Sequence, residues 1–139
     1  QISIFETAGN ADCHVILRGG NNATNYDAQS VDAACAVLSK AGLKPQLMID
    51  FSHANSQKQH RRQISVGEDV GHQIAGGDER IVGVMIESHL VEGRQDIGPD
   101  LVYGQSVTDA CIHWDDTATL LQDLVASFAK RGKRLTKTA

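Results

Sequence analysis

Three short runs of branched apolar residues constrain the fold of this chain most: Cys13-His14-Val15-Ile16-Leu17, Gln46-Leu47-Met48-Ile49-Asp50-Phe51 and Ile81-Val82-Gly83-Val84-Met85-Ile86. None alternates cleanly between apolar and polar. Strands that are apolar on both faces belong to parallel sheets covered by helices. Each run closes on polar residues and then a loop: Arg18-Gly19-Gly20, Ser52-His53-Ala54-Asn55-Ser56 and Glu87-Ser88-His89. Arg18, His53 and Glu87 are 35 and 34 residues apart, about one strand-plus-helix repeat each.

The intervening segments read as helices. From Asp27 to Lys40, Val31, Ala34, Val37 and Leu38 share a face, and Gly42 is placed as a C-terminal cap. A weaker pattern from about Gln57 to Ala75 runs through Ile64, Val70 and Ile74. Its internal Gly67 and Gly71 weaken the helical pattern. In the last segment Asp115 or Asp116 can cap a helix whose buried stripe is Leu120, Leu121, Leu124, Val125 and Phe128. Gln1 to Thr7 reads as a short strand. Residues 91–108, with Gly93, Gly98, Pro99 and Gly104, read as a long loop, which in a compact domain is usually functional. The order is that of consecutive right-handed βα units, an α/β class.

Composition limits the function classes. A formal charge of −4 over 139 residues argues against a general electrostatic grip on nucleic acid. Lys130, Arg131, Lys133, Arg134 and Lys137 gather at the end and read as a solvated basic tail over residues 130–139. Cys13, Cys35 and Cys111 are odd in number and lack a CxxC spacing, as expected of reduced thiols in a cytoplasmic protein. No apolar run approaches the roughly 18 residues that cross a membrane, and no signal peptide opens the chain. The chain starts at Gln1 rather than Met, which suggests a cut, a processing site or an expression boundary.

In parallel α/β folds catalytic groups gather where strands end and βα loops begin. Arg18, His53 and Glu87 would therefore converge on one mouth. A neutral imidazole and carboxylates suit a divalent first-row metal, and an arginine fork suits phosphate or carboxylate. Taken alone, these residues leave blander roles open. His53 could be a satisfied strand-end histidine, Glu87 a helix cap or ion-pair partner, and Asp109 a turn residue.

Four segments go further. His14-Val-Ile-Leu-Arg-Gly-Gly20, Met48-Ile-Asp-Phe-Ser-His-Ala-Asn-Ser56, Gly83-Val-Met-Ile-Glu-Ser-His-Leu-Val-Glu-Gly93 and Ser106-Val-Thr-Asp-Ala-Cys-Ile112 resemble, in order, the signatures of type I 3-deoxy-D-arabino-heptulosonate 7-phosphate (DAHP) synthases. The resemblance runs from about Gln1 to Ala129. It implies the C-terminal part, the last three strands and helices, of a (β/α)8 barrel that needs about 250 residues.

That family condenses phosphoenolpyruvate with erythrose 4-phosphate to DAHP and phosphate, the first step of the shikimate pathway. The resemblance implies that Arg18 holds the phosphoenolpyruvate phosphate. It makes His53, Glu87 and Asp109 ligands of a divalent ion (Mn, Fe, Co or Zn) that polarises the aldehyde. It assigns Arg18 and His53 as catalytic. A fourth metal ligand, a cysteine after a Gly-Pro pair, and the other substrate-binding cations belong upstream, and Cys13, Cys35 and Cys111 do not match that motif.

The resemblance also implies a cytoplasmic homo-oligomer. The alternative is a non-catalytic chain that needs a partner or the missing strands for activity. His89 is expected to support the site from behind, His14 to be structural, Asn55 and Ser56 to orient the His53 loop or cap the next helix, and Trp114 to pack.

Overall fold

The computed structural model describes residues 2–10, 12–21 and 23–135. Three strands, β1 (Val15–Leu17), β2 (Leu47–Asp50) and β3 (Ile81–Met85), form a parallel sheet in the order β1-β2-β3. The register pairs Ile16 with Met48 and Met48 with Gly83, and next to it Leu17 with Ile49 and Ile49 with Val84. The connections are α1 (Ala28–Lys40) and α2 (Arg62–Gly76), and α3 (Trp114–Leu135) closes the chain. The α/β class and the three central strands are as expected from the sequence.

One face of the sheet carries the core. Leu47, Ile49, Phe51 and Ile81 are buried against Val31 and Cys35 of α1, Val66, Val70 and Ile74 of α2, and Leu120 and Leu124 of α3. The register assigns Ile16, Met48 and Met85 to the opposite face. There Ile16 and Met85 stay partly exposed, at 39% and 37%. Strands apolar on both faces are thus covered by helices on one side only.

Local chemistry sets the helix ends. Asp27 caps α1 by accepting from the backbone and the hydroxyl of Ser30, and these bonds hold its carboxyl below the usual carboxylate range. Gly42, at φ +73°, ends α1: its N–H donates to Ser39 and that of Leu43 to Leu38. α2 begins at Arg62, five residues after the expected start, because Gln57 and Lys58 take left-handed φ values of 53° and 58°.

The expected second helix is present, and it runs unbroken across Gly67 and Gly71, because these are points where α3 lies close. A Cβ on Gly67 would stand 2.6 Å from Leu120 Cδ1 and 2.8 Å from the Phe51 ring. One on Gly71 would stand 3.1 Å from Ser127 Oγ.

Other expectations are corrected. Residues 2–7 form no strand, and Ile2, Ile4 and Phe5 are exposed. The supposed loop 91–108 is partly built. β4 (Ser88–His89) pairs in parallel with β7 (Ile112–His113), and β5 (Val91–Arg94) with β6 (Gln105–Ser106). The Gln95 side chain bonds to Val102 and Gln105 across that loop. α3 is capped by His113, whose Nδ1 accepts from the Asp115 N–H at 3.0 Å, while Asp115 and Asp116 occupy the first turn.

Of its expected stripe only Leu120 and Leu124 are buried; Leu121, Val125 and Phe128 are exposed. The helix also continues where a tail beginning at residue 130 was expected. Arg131 donates to the Asp78 carbonyl and lies over the Phe128 ring. Residues 136–139, and Lys137 with them, lie outside the described residues. No described helix is long and apolar enough to cross a membrane.

Candidate metal centre

The end of β2 folds into a knot of turns that presents His53. Asp50, fully buried, accepts from the Ser52 N–H through Oδ1 at 2.8 Å. The chain then passes through His53 at φ 49°, a left-handed value that costs a non-glycine residue about 1–2 kcal/mol. The turn is held by Ser56 and Lys58 N–H groups donating to the Ser52 and His53 carbonyls, and by Ser56 Oγ donating to the His53 carbonyl.

Asn55, also buried, ties this turn to its neighbours. Its Nδ2 donates to the carbonyls of Leu17 and Asp50, and its Oδ1 accepts from the Asn25 N–H. The ends of β1 and β2 are thereby fixed to each other. Gly19 completes the join. A Cβ there would lie 2.6–2.9 Å from Ala54 and the Asn55 nitrogen, and its φ is +78°.

His53 sits between two carboxylates. Its Nδ1 lies 2.7 Å from Asp50 Oδ2 without hydrogen-bond geometry, and neither atom has a hydrogen-bonding partner among the described residues. A carboxylate at Nδ1 keeps the proton on that nitrogen and leaves the Nε2 lone pair for the cleft. Nε2 lies 3.7 Å from Glu87 Oε1. Glu87 follows β3 and is fixed at several points. Ser52 Oγ donates to its Oε2 at 2.5 Å, and the buried Gln63 side chain bonds both its N–H and its carbonyl.

Asp109, exposed, comes from the segment before β7. That segment is held by the reciprocal backbone bonds of Gly93 and Cys111.

One ligand atom from each of His53, Glu87 and Asp109 lies within 4.8 Å of the others. Ligand atoms around an ion held at about 2.1 Å stand roughly 3–4.2 Å apart, so modest side-chain rotation closes the set. Ser52, His53, Ser56, Lys58, Glu87 and Asp109 line a cleft of about 60 Å³ between them. Three carboxylates converge on it, counting Asp50 behind the histidine, and none of the ion pairs among the described residues brings Lys or Arg to them. A divalent cation would neutralise that charge, and imidazole with carboxylates is a donor set that first-row divalent ions accept.

Arg18 stands apart from the cleft lining. It follows β1 with its side chain exposed, its carbonyl accepts from the Ala54 N–H, and its guanidinium has no partner among the described residues. His89 does not back the cleft as expected; its Nδ1 accepts from the Leu90 N–H. His14 is exposed ahead of β1, and Trp114 is half-exposed at the start of α3.

Burial pushes the Cys111 thiol up, which disfavours the thiolate that a metal would need. Asp50, Ser52, Gln63 and Lys58 went unnoticed in the sequence. The legible clue was Gln63, a polar residue in register with Val66, Val70 and Ile74 on the buried face of α2.

Residues 1–122 match the family model described as the DAHP synthetase I family. The chain belongs to that family. It is 53% identical over 133 residues to the phospho-2-dehydro-3-deoxyheptonate aldolase of Haemophilus influenzae, covering 94% of this chain and 37% of that protein. It is 56% identical to the Phe-sensitive aldolase of Escherichia coli K12, covering 94% of this chain and 38% of that one. The structure of the aldolase from Francisella tularensis SCHU S4 superimposes with a TM-score of 0.86 at 47% identity, over 93% of this chain and 38% of that one. The chain thus spans less than two fifths of the length of these DAHP synthetase I relatives.

Proposed function

We propose that this chain is the C-terminal portion of a metal-dependent DAHP synthase, its three long strands being the last three of a (β/α)8 barrel. The parent condenses phosphoenolpyruvate with erythrose 4-phosphate, as a cytoplasmic homo-oligomer. The convergence of His53, Glu87 and Asp109 from three separate segments of a DAHP synthetase I chain carries this reading. The one-sided sheet supports the partial barrel: the Ile16, Met48 and Met85 face awaits the strands that would enclose it.

In this reading His53, Glu87 and Asp109 hold the divalent ion, whether Mn, Fe, Co or Zn. Lewis acidity toward the aldehyde oxygen is what such an ion supplies when bound. Asp50 orients the His53 ring, Ser52 and Gln63 fix Glu87, and Arg18 offers its fork to the phosphoenolpyruvate phosphate. Two anionic substrates need more cations than the described residues bring to the cleft. The alternative of a chain inactive without a partner or further strands therefore describes the same molecule in isolation.

Phosphoenolpyruvate consumption with erythrose 4-phosphate and Mn²⁺ tests both parts. The complete enzyme is expected to turn over and the isolated 139-residue chain to show none. Clear turnover by the isolated chain would sink the partial-site reading, and none by the complete enzyme would sink the assigned reaction.

A further inference from the structure

Lys58 occupies an unusual place. Among the described residues it is the one shared by the linings of two neighbouring spaces, the cleft of His53, Glu87 and Asp109 and a larger hollow of about 490 Å³. The hollow lies between Gly20, Asn21 and Ala23 on one side and Ala54, Gln57 and Lys58 on the other. It opens two residues beyond Arg18.

The backbone at Lys58 has φ 58°, directly after Gln57 at 53°. Glycine or asparagine would adopt that conformation more readily than lysine. The turn therefore gives no reason for a lysine here. Strained non-glycine residues cluster where a side chain has work to do. Lys58 is exposed and its ammonium makes no ion pair or hydrogen bond among the described residues, although the residue lines a cleft holding Glu87 and Asp109.

We propose that Lys58 is a substrate-contacting residue, its ammonium binding the phosphate of one of the two phosphorylated substrates at the boundary between cleft and hollow. A molecule reacting in the cleft would then extend its phosphate past Lys58 into the hollow. The proposal rests on the assigned reaction and adds a cation that the sequence motifs did not single out.

The test uses the complete, metal-loaded enzyme with Lys58→Met, Lys58→Arg and Lys58→Gly. In K58M, KM for either phosphoenolpyruvate or erythrose 4-phosphate is expected to rise on the order of 10- to 100-fold, the size of one charge-assisted hydrogen bond. Metal content stays unchanged, and the substrate whose KM moves identifies the phosphate. K58R recovers most of the loss. K58G shows the same KM defect while its melting temperature holds or rises, since glycine relieves the backbone.

KM values within twofold of wild type in K58M, or wild-type kinetics in K58G, would overturn the proposal. So would loss of metal in step with activity. Should the wild-type enzyme show no turnover, the assigned reaction fails instead. Calorimetric titration of wild type and K58M with phosphoenolpyruvate and, separately, erythrose 4-phosphate then decides on Lys58, and unchanged affinity for both overturns it.

Discussion

Replacing His53 by Ala in the complete enzyme is expected to abolish stoichiometric binding of a divalent metal. His53 contributes the only nitrogen among the three converging donors, and without it two carboxylates, one of them on the exposed Asp109, remain of the set. Loss of a partner that merely orients a ligand costs roughly 10- to 100-fold in metal affinity, so loss of the ligand itself should exceed that. Asp50→Asn supplies the graded companion. It keeps the shape behind Nδ1 but removes the charge, and the resulting affinity should fall between wild type and H53A. Metal content after gel filtration, by atomic absorption, measures both. Retained stoichiometric metal in H53A would refute the role of His53.

The second large effect is expected at Gly19, far from any ligand atom in sequence. Alanine there meets two independent costs. The φ of +78° disfavours any Cβ by about 1–2 kcal/mol, and the new atom would sit 2.6–2.9 Å from Ala54 and the backbone of Ala54 and Asn55. Those contacts include main chain, which cannot swing aside as a side-chain tip can, and overpacking of this kind adds about 1–3 kcal/mol. A loss of about 2–5 kcal/mol in unfolding free energy is expected. Metal affinity should weaken as well, because the displaced segment carries His53. Gly20→Ala is the control, since no described residue lies within 4 Å of its Cβ position, and it should be near neutral for stability. Denaturant melts of the two variants check this. Equal stability of G19A and wild type would show that the Arg18 and His53 loops do not need their close approach.

The parts of the fold that were legible in the sequence are those set by local pattern. The three branched runs became the sheet, and the repeat that separates Arg18, His53 and Glu87 placed each at a strand end. Gly42 ended its helix because a left-handed residue was needed there. The expectations that failed depend on what lies opposite a segment. Ile2 and Ile4 alternate like a strand but find no partner strand. Leu121, Val125 and Phe128 have the spacing of a buried stripe, yet of that stripe only Leu120 and Leu124 enter the core.

Gly67 and Gly71 weakened the helical pattern because their worth lies in α3, some fifty residues away in sequence. Within the site, the residue types that face the cleft were readable. The groups that hold them were not, because Asp50 and Ser52 resemble any polar strand end and Gln63 acts across 24 residues through its amide. Lys58 was hidden for the same reason: its position depends on two left-handed residues that no propensity scale would place there.

The most direct measurement is the position of the metal itself. Crystals of the complete enzyme grown with Mn²⁺ should show, by anomalous scattering at the manganese edge, one ion per chain within about 2.0–2.3 Å of His53 Nε2 and of a carboxylate oxygen from each of Glu87 and Asp109. An ion bound elsewhere, or bound here without His53, would contradict the assignment of this cleft as the metal centre.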